Sequence, residues 1–363
     1  MTRIRVLVVD DSLTVRKRLI EVLASDPDLE VVGEGGDGAQ AIALCQALRP
    51  DVITLDMMLP VVTGLAATEH IMAHCPTPIL IVSASTNRGE LFRTYDALAA
   101  GAVDVLEKPA PNDPMGDWES RFLSTVKLVS RIKVITHVRG KVAQRLRDAA
   151  LSSVTTPAHA ASRADRPRCA AVAIGVSTGG PLAMQRILGD LPADFPLPIL
   201  LVIHIGEPFG AALAEWLGTQ SSLRVAYAQD GEPLPPFGEG RVIMARPELH
   251  LALQGGRLRN IVGPERHSCR PSVDVLFESV AAELGSRAAA CLLTGMGKDG
   301  ATGLLEVRRA GGVTLAQDEA TSIVFGMPRE AIRIGAAERV LPLDRFANAL
   351  TELAIEARPG ARA

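Results

Sequence analysis

The stretch Ala170-Ala-Val-Ala-Ile-Gly-Val-Ser-Thr-Gly-Gly-Pro181 reads as a buried strand that turns abruptly into a helix. Its apolar run does not alternate with polar residues, as in strands of parallel sheets covered on both faces. Two other segments repeat the design. Ile199 to Ile203 runs into His204, and Ala289 to Leu293 runs into Thr-Gly-Met-Gly-Lys-Asp299-Gly. In a parallel sheet the carboxyl ends of the strands share one edge, so these three loops can converge despite their separation in sequence. Ser177, His204 and Asp299 then read as a nucleophile, a base and an orienting carboxylate meeting in one crevice.

Each residue taken alone has a plainer explanation. Gly175-Val-Ser-Thr-Gly179 matches G-x-S-x-G, but Ser177 or Thr178 could simply cap the helix near Pro181. The same loop lacks the G-x-G-x-x-G spacing and downstream acid of a dinucleotide site. His204 could be structural, and Asp299 a helix N-cap. The convergence of all three at strand ends favours the triad. Its chain order, Ser then His then Asp, differs from the Ser, acid, His order of α/β-hydrolases. His250, in the alternating run Leu249 to Leu253, reads as a strand surface position, and His267 lies in a polar loop; both are rival bases. Asp274 is a rival acid that reads better as a cap at the helix start near Ser272.

A second constellation lies upstream. Strand candidates at Ile4 to Val9, Val31-Val32, Val52 to Leu55, Ile79 to Val82 and Val103 to Leu106 alternate with helical segments, predicting five βα units in a doubly wound domain. Asp10 and Asp11 end the first strand, Asp56 the third and Ser83 the fourth, while Lys108 follows the fifth. All five share the ligand-binding edge of such a sheet. Three carboxylates held together repel, and a hard cation such as Mg²⁺ offsets that repulsion through oxygen ligands. A carboxylate beside that cation, with a hydroxyl and an ammonium nearby, suits acceptance of a phosphoryl group.

Residues 3 to about 125 resemble the response-regulator receiver family through these positions and Pro60. The resemblance implies that Asp56 is the phosphoacceptor, that Asp10, Asp11, Asp56 and the Met58 backbone carbonyl hold Mg²⁺, and that Ser83 and Lys108 sense the phosphate. Two positions depart from the common pattern: Val105 stands where many receivers carry an aromatic switch residue, and Thr63-Gly64 replaces Asp-Gly. Residues 168 to 350 resemble the catalytic domain of the chemotaxis protein-glutamate methylesterases. The shared stretches are Gly-Val-Ser-Thr-Gly-Gly-Pro181, Arg270-Pro-Ser-Val-Asp-Val-Leu-Phe277, Leu293-Thr-Gly-Met-Gly-Lys-Asp-Gly-Ala301 and Phe325-Gly-Met-Pro328. This resemblance implies that Ser177 is the nucleophile, His204 the general base and acid, Asp299 the orienting acid, and that Met296 and Thr178 serve the oxyanion site. It also implies ester hydrolysis without a cofactor, a glutamine deamidase activity, methylated chemoreceptor cytoplasmic domains as substrates and a histidine kinase as phosphodonor. The loop Ile205-Gly206-Glu207-Pro208 departs from the family's usual sequence after the histidine.

Length and composition fit this organisation. With 363 residues the chain exceeds one ordinary core. Aromatics are 3% and apolar residues 47%, favouring Val-, Ile-, Leu- and Ala-rich parallel sheets. The predicted fold is α/β throughout: a five-stranded, flavodoxin-like doubly wound receiver over 1–125, a helical extension and flexible linker over 126–168, and a doubly wound, mostly parallel catalytic domain over 169–355. A hairpin at Gln254-Gly-Gly-Arg257 predicts a small antiparallel addition to the last. A helix is expected from Trp118 to about Leu146, and a flexible linker from Ala149 to Arg168. The net charge of -3 and the lack of a basic recognition helix argue against nucleic acid. Five cysteines without a C-x-x-C pair argue against a disulfide framework or zinc motif and fit a reducing cytoplasm. No apolar run reaches the roughly 18 residues of a membrane span. The leading expectation is therefore an esterase gated by phosphorylation. The alternative is a response regulator whose output domain binds a partner without catalysis.

Overall fold

The computed structural model describes residues 3–84, 87–109, 116–132, 134, 168–206 and 209–357. They divide into two compact units, Met1–Ser83 with Ala100–Arg166, and Ala84–Ala99 with Pro167–Ala363.

The first unit is built on β1 (Ile4–Val9), β2 (Leu29–Gly35), β3 (Val52–Leu55), β4 (Ile79–Ser83) and β5 (Asp104–Glu107). They form one sheet in the order β2-β1-β3-β4-β5, with every pairing parallel. The strands are short because both faces are covered, so each needs only a few fully buried residues: all four residues of β3 are buried. The helices α1 (Leu13–Ala24), α2 (Gly38–Leu48) and α3 (Gly64–His74) begin at Ser12, Asp37 and Thr63. In each case the side-chain oxygen accepts from a backbone N–H of the first turn. Helix α4 (Arg88–Ala99) belongs to the second unit, and α5 (Asp117–Val129) closes the first.

The helix expected from Trp118 onward thus ends at Val129. Ser130 turns its hydroxyl back onto the Lys127 carbonyl, and residues 130 and 131 form a turn. Most of the expected remainder, and the linker apart from Arg168, lie outside the described residues.

The second unit carries β6 (Ala171–Val176), β7 (Ile199–Ile203), β8 (Arg224–Tyr227), β9 (Arg241–Met244), β12 (Ala288–Leu292), β13 (Val313–Gln317) and β14 (Arg339–Leu341). The seven strands run parallel in the order β14-β13-β12-β6-β7-β9-β8. Around them lie α6 (Gly180–Asp190), α7 (Gly210–Gln220), α8 (Val273–Leu284), α9 (Ala301–Arg309), α10 (Met327–Arg333) and α11 (Phe346–Glu356). The expected hairpin forms a separate antiparallel pair, β10 (His250–Gln254) and β11 (Arg257–Ile261). Its two-residue turn places Gly255 and Gly256 at φ 58° and 69°, the left-handed pair that matches strand twist. A core of Ala, Val, Ile and Leu with Phe277 packs α8, α9 and the hairpin against β6, β7, β9 and β12.

Candidate active site and phosphoacceptor site

In the second unit the strand order reverses at β6, which has β12 on one side and β7 on the other. The three predicted residues stand in the loops after these three adjacent strands. Val176 pairs with Ile203 in register, and the His204 N–H donates to the Val176 carbonyl at 3.0 Å, so Ser177 and His204 begin neighbouring loops. On the other flank the Ser177 N–H donates to Thr294 O at 2.9 Å, tying its loop to the one that carries Asp299. The turn after Ser177 is made by Gly179 at φ 80°, which is also the N-cap of α6 and supplies no side-chain bond. Neither Ser177 nor Thr178 caps that helix, so the plainer explanation of the motif falls away. Space is equally tight opposite. A Cβ on Gly295 would come within 2.7 Å of the Ser177 Cβ and 2.3 Å of Met327 Sδ.

Asp299 does not cap its own helix, whose N-cap is Gly300. Its carboxylate caps α8 instead. Oδ1 accepts from the Ser272 hydroxyl at 2.7 Å and the Asp274 N–H at 3.1 Å, and Oδ2 from the Val273 N–H at 2.6 Å. His204 Nε2 completes the set at 2.9 Å from Oδ2. Burial disfavours charge on Asp299, yet these donors, His204 foremost, hold its carboxyl below the usual range. Burial likewise disfavours an imidazolium at His204, but the hydrogen bond to Asp299 and the nearby Cys269 thiol outweigh it. They hold the ring at about 9. The remaining nitrogen, Nδ1, lies 3.6 Å from Cys269 Sγ. Ser177 Oγ makes no hydrogen bond to His204 among the described residues. Met296 is half exposed, and its backbone N–H is unpaired among the described residues.

The rival residues have other duties. His250 is buried rather than a surface position. It accepts from the Ser272 N–H through Nδ1 at 3.1 Å, and its Nε2 lies 2.9 Å from Pro264 O. It therefore steadies the residue that donates to Asp299. His267 and Asp274 pair with each other, Nε2 to Oδ2 at 3.2 Å. Ser272, not Asp274, caps α8; buried Asp274 accepts from the Gly303 N–H at 2.6 Å at the start of α9. The roles of Ser272, His250 and Cys269 were not foreseen. Ser272 alone left a sequence signal, as a serine ahead of an apolar helical run.

In the first unit Asp10 and Asp56 follow the paired residues Val9 and Leu55, at the point where the strand order reverses between β1 and β3. Lys108 Nζ lies 2.7 Å from Asp10 Oδ2 and 2.9 Å from Asp56 Oδ2. Burial pushes the Asp10 carboxyl up, against the pull of Lys108. Burial also disfavours charge on Lys108, but Asp56 and Asp10 hold its ammonium above the usual range. Oxygens of Asp10, Asp11 and Asp56 lie within 4.8 Å of one another, with Asp11 exposed. This hard, partly open oxygen set suits Mg²⁺ with retained waters. Ser83 Oγ is buried, has no hydrogen-bond partner among the described residues, and stands at the same edge.

Residues 6–116 match the sequence profile described as response regulator receiver domain, and residues 172–350 that of CheB methylesterase. A protein-glutamate methylesterase/protein-glutamine glutaminase 2 of Anaeromyxobacter dehalogenans is 45% identical over 350 residues, 96% of this chain and 97% of the relative. The chain belongs to this methylesterase/glutaminase family. A further member, from Nitrosospira multiformis, is 43% identical over 357 residues, 97% of this chain and 98% of its own. Among solved structures, the CheB methylesterase catalytic domain of Thermotoga maritima is 38% identical, with a TM-score of 0.49. The match covers 52% of this chain and all of that one. The two profile matches and the relatives' coverage extend over both units.

Proposed function

We propose that this protein is a phosphorylation-regulated hydrolase that demethylates glutamate methyl esters, and deamidates glutamines, on chemoreceptor cytoplasmic domains. The observation that carries this reading is the family relationship over 96% of the chain, which includes a receiver as well as the catalytic unit. The non-catalytic alternative has no observation in its favour.

Chemistry is assigned to Ser177, His204 and Asp299. Asp299 engages Nε2, so Nδ1 is the nitrogen that accepts the Ser177 proton. The Ser177 oxygen bonds to the ester carbon, and the oxyanion is held by the Met296 N–H with Thr178 lining the site. His204 then returns the proton to the departing methoxide, releasing methanol, and water hydrolyses the acyl-enzyme to free the glutamate and Ser177. With a glutamine substrate the leaving group is ammonia. The imidazole must be neutral to begin, and its pKa of about 9 makes the base form grow as pH rises from neutrality.

In the receiver, Asp56 is the phosphoacceptor for a histidine kinase. Mg²⁺ held by Asp10, Asp11, Asp56 and the Met58 carbonyl would neutralise charge on the transferring phosphoryl group. Ser83 and Lys108 contact the acquired phosphate, the first through a hydroxyl that has no partner among the described residues. Phosphorylation biases the enzyme toward its active population. No helix among the described residues is long and apolar enough to cross a membrane, and we place the protein in the cytoplasm beside its receptor substrates.

The test is methanol release from a glutamate-methylated receptor fragment, with and without a small phosphodonor plus Mg²⁺. Release that rises with the phosphodonor and disappears in Ser177→Ala is expected. No release in either condition would overturn the esterase assignment, and equal release in both would overturn the regulation.

A further inference from the structure

We propose that Cys269 and His204 form a binding site for one zinc ion in the crevice beside Ser177, and that zinc held there silences ester hydrolysis. Zinc binds thiolate sulfur at about 2.3 Å and imidazole nitrogen at about 2.0–2.1 Å, so tetrahedral geometry sets the two ligand atoms about 3.6 Å apart. Cys269 Sγ and His204 Nδ1 already stand 3.6 Å apart. In the neutral ring Nε2–H donates to Asp299, which leaves the Nδ1 lone pair directed toward Cys269. A carboxylate behind a histidine in this way fixes the tautomer and raises basicity in metal sites as well as in triads. Asp299 itself lies within reach, but its oxygens are engaged by Ser272, Val273 and Asp274, so it supports the ligand rather than serving as one.

Cys269 is held in place from outside the crevice. The backbones of Arg266 and Cys269 hydrogen-bond reciprocally at 3.1 and 3.0 Å, closing a turn in which His267 and Ser268 occupy left-handed φ of 53° and 59°. Two non-glycine residues in that region require fixed surroundings. Arg266 supplies them by a bidentate pair with Glu278 at 2.5 and 2.6 Å, and His267 by its pairing with Asp274. A sulfur and an imidazole prefer zinc to magnesium, the converse of the all-oxygen set at Asp56. On binding, the Cys269 thiol and the Nδ1–H of the His204 imidazolium each release a proton to solvent, and zinc accepts one lone pair from sulfur and one from Nδ1. Two positions remain for water or substrate oxygen. The inhibition rests on His204 being the general base, since zinc takes the lone pair that would accept the Ser177 proton; the binding does not.

The test uses chelator-treated full-length protein titrated with Co²⁺ as a spectroscopic substitute and with Zn²⁺ by calorimetry, alongside methanol release. A thiolate-to-cobalt charge-transfer band saturating at one equivalent and bleached by Zn²⁺ is expected. At free zinc about ten times its dissociation constant, activity should fall about tenfold and return with chelator. His70 and His74, stacked on α3, could take metal but yield no thiolate band, and stoichiometry is therefore read in a His70→Ala background. In Cys269→Ser the band should vanish and the ratio of rates with and without zinc should approach one, whatever the variant's own rate. Absence of stoichiometric binding, or an unchanged band and ratio in Cys269→Ser, would overturn the site. Zinc binding as expected in a protein that never hydrolyses ester would support the site and sink the proposed function alone.

Discussion

Asp56 and Asp299 are both buried carboxylates in loops that follow interior strands of parallel sheets, yet their surroundings equip them for opposite work. Asp299 accepts four hydrogen bonds, from Ser272, Val273, Asp274 and His204, and its carboxyl is held below the usual range. Asp56 accepts from the Met57 N–H at 2.7 Å and from Lys108, and sits beside two further carboxylates. A carboxylate whose lone pairs are spent on fixed donors orients a neighbour and does not attack. One balanced against a single ammonium and open toward exposed Asp11 retains a nucleophilic oxygen. The chemistry follows from how many lone pairs the local backbone consumes, not from the residue type.

The most severe way to break this comparison is to remove the proposed nucleophile. Ser177→Ala should reduce methanol release by roughly 10⁴-fold or more while Asp56 still takes up phosphate from a small phosphodonor. Phosphorylation measured by mass spectrometry, set against the rate, separates the two sites. Asp299→Asn keeps the shape but replaces one oxygen with a donor, and a loss of roughly 10⁴-fold in kcat is expected.

The pH profile sharpens the same point. Wild-type kcat/KM should rise from neutrality toward pH about 9, because a raised imidazole pKa leaves base only at higher pH. In Asp299→Asn the residual rise should move to lower pH, since the hydrogen bond that favours the imidazolium is gone. A profile unmoved by the substitution would show that His204 is not the titrating base.

Smaller effects follow on the other side of the comparison. Asp56→Asn should leave unstimulated hydrolysis in place and abolish the response to phosphodonor, a coupling of roughly 5- to 150-fold by the usual range between linked sites. Smallest is Ser272→Ala, which removes one of four donors to Asp299 together with the cap of α8. A stability loss of about 1 kcal/mol is expected in denaturant melts, with a modest fall in kcat.

Much of this was legible in the sequence because strand ends carry it. The apolar runs before Ser177, His204 and Asp10 pinned those residues to sheet edges, and a parallel sheet does the rest. The separate hairpin was legible from Gly255-Gly256, a pair that demands a left-handed turn. What could not be read was which donors converge on a given carboxylate. The service of Asp299 to α8 rather than α9 depends on the approach of two loops 25 residues apart, Asp299 to Asp274. Periodicity carries no trace of that. His250 was misjudged for the same reason. Alternation marks one face of a strand, but not that His250, Leu251, Ala252 and Leu253 of β10 are all buried, so that this strand is covered on both faces. Cys269 gave no signal, since its position depends on a turn in which His267 and Ser268 both take left-handed φ, without the glycine that would mark such a turn in the sequence.

The adjacency of β12, β6 and β7 has a consequence for how the protein ages under stress. Strands flanked on both sides exchange their amide hydrogens last, and sheets fray from their margins inward. In the seven-stranded sheet those margins are β14 and β8, each removed by one further strand from the strands that precede Ser177, His204 and Asp299. Heat or denaturant that loosens the margins first would leave an enzyme with diminished amide protection at its edges and an intact rate, the two signals parting only when the centre opens.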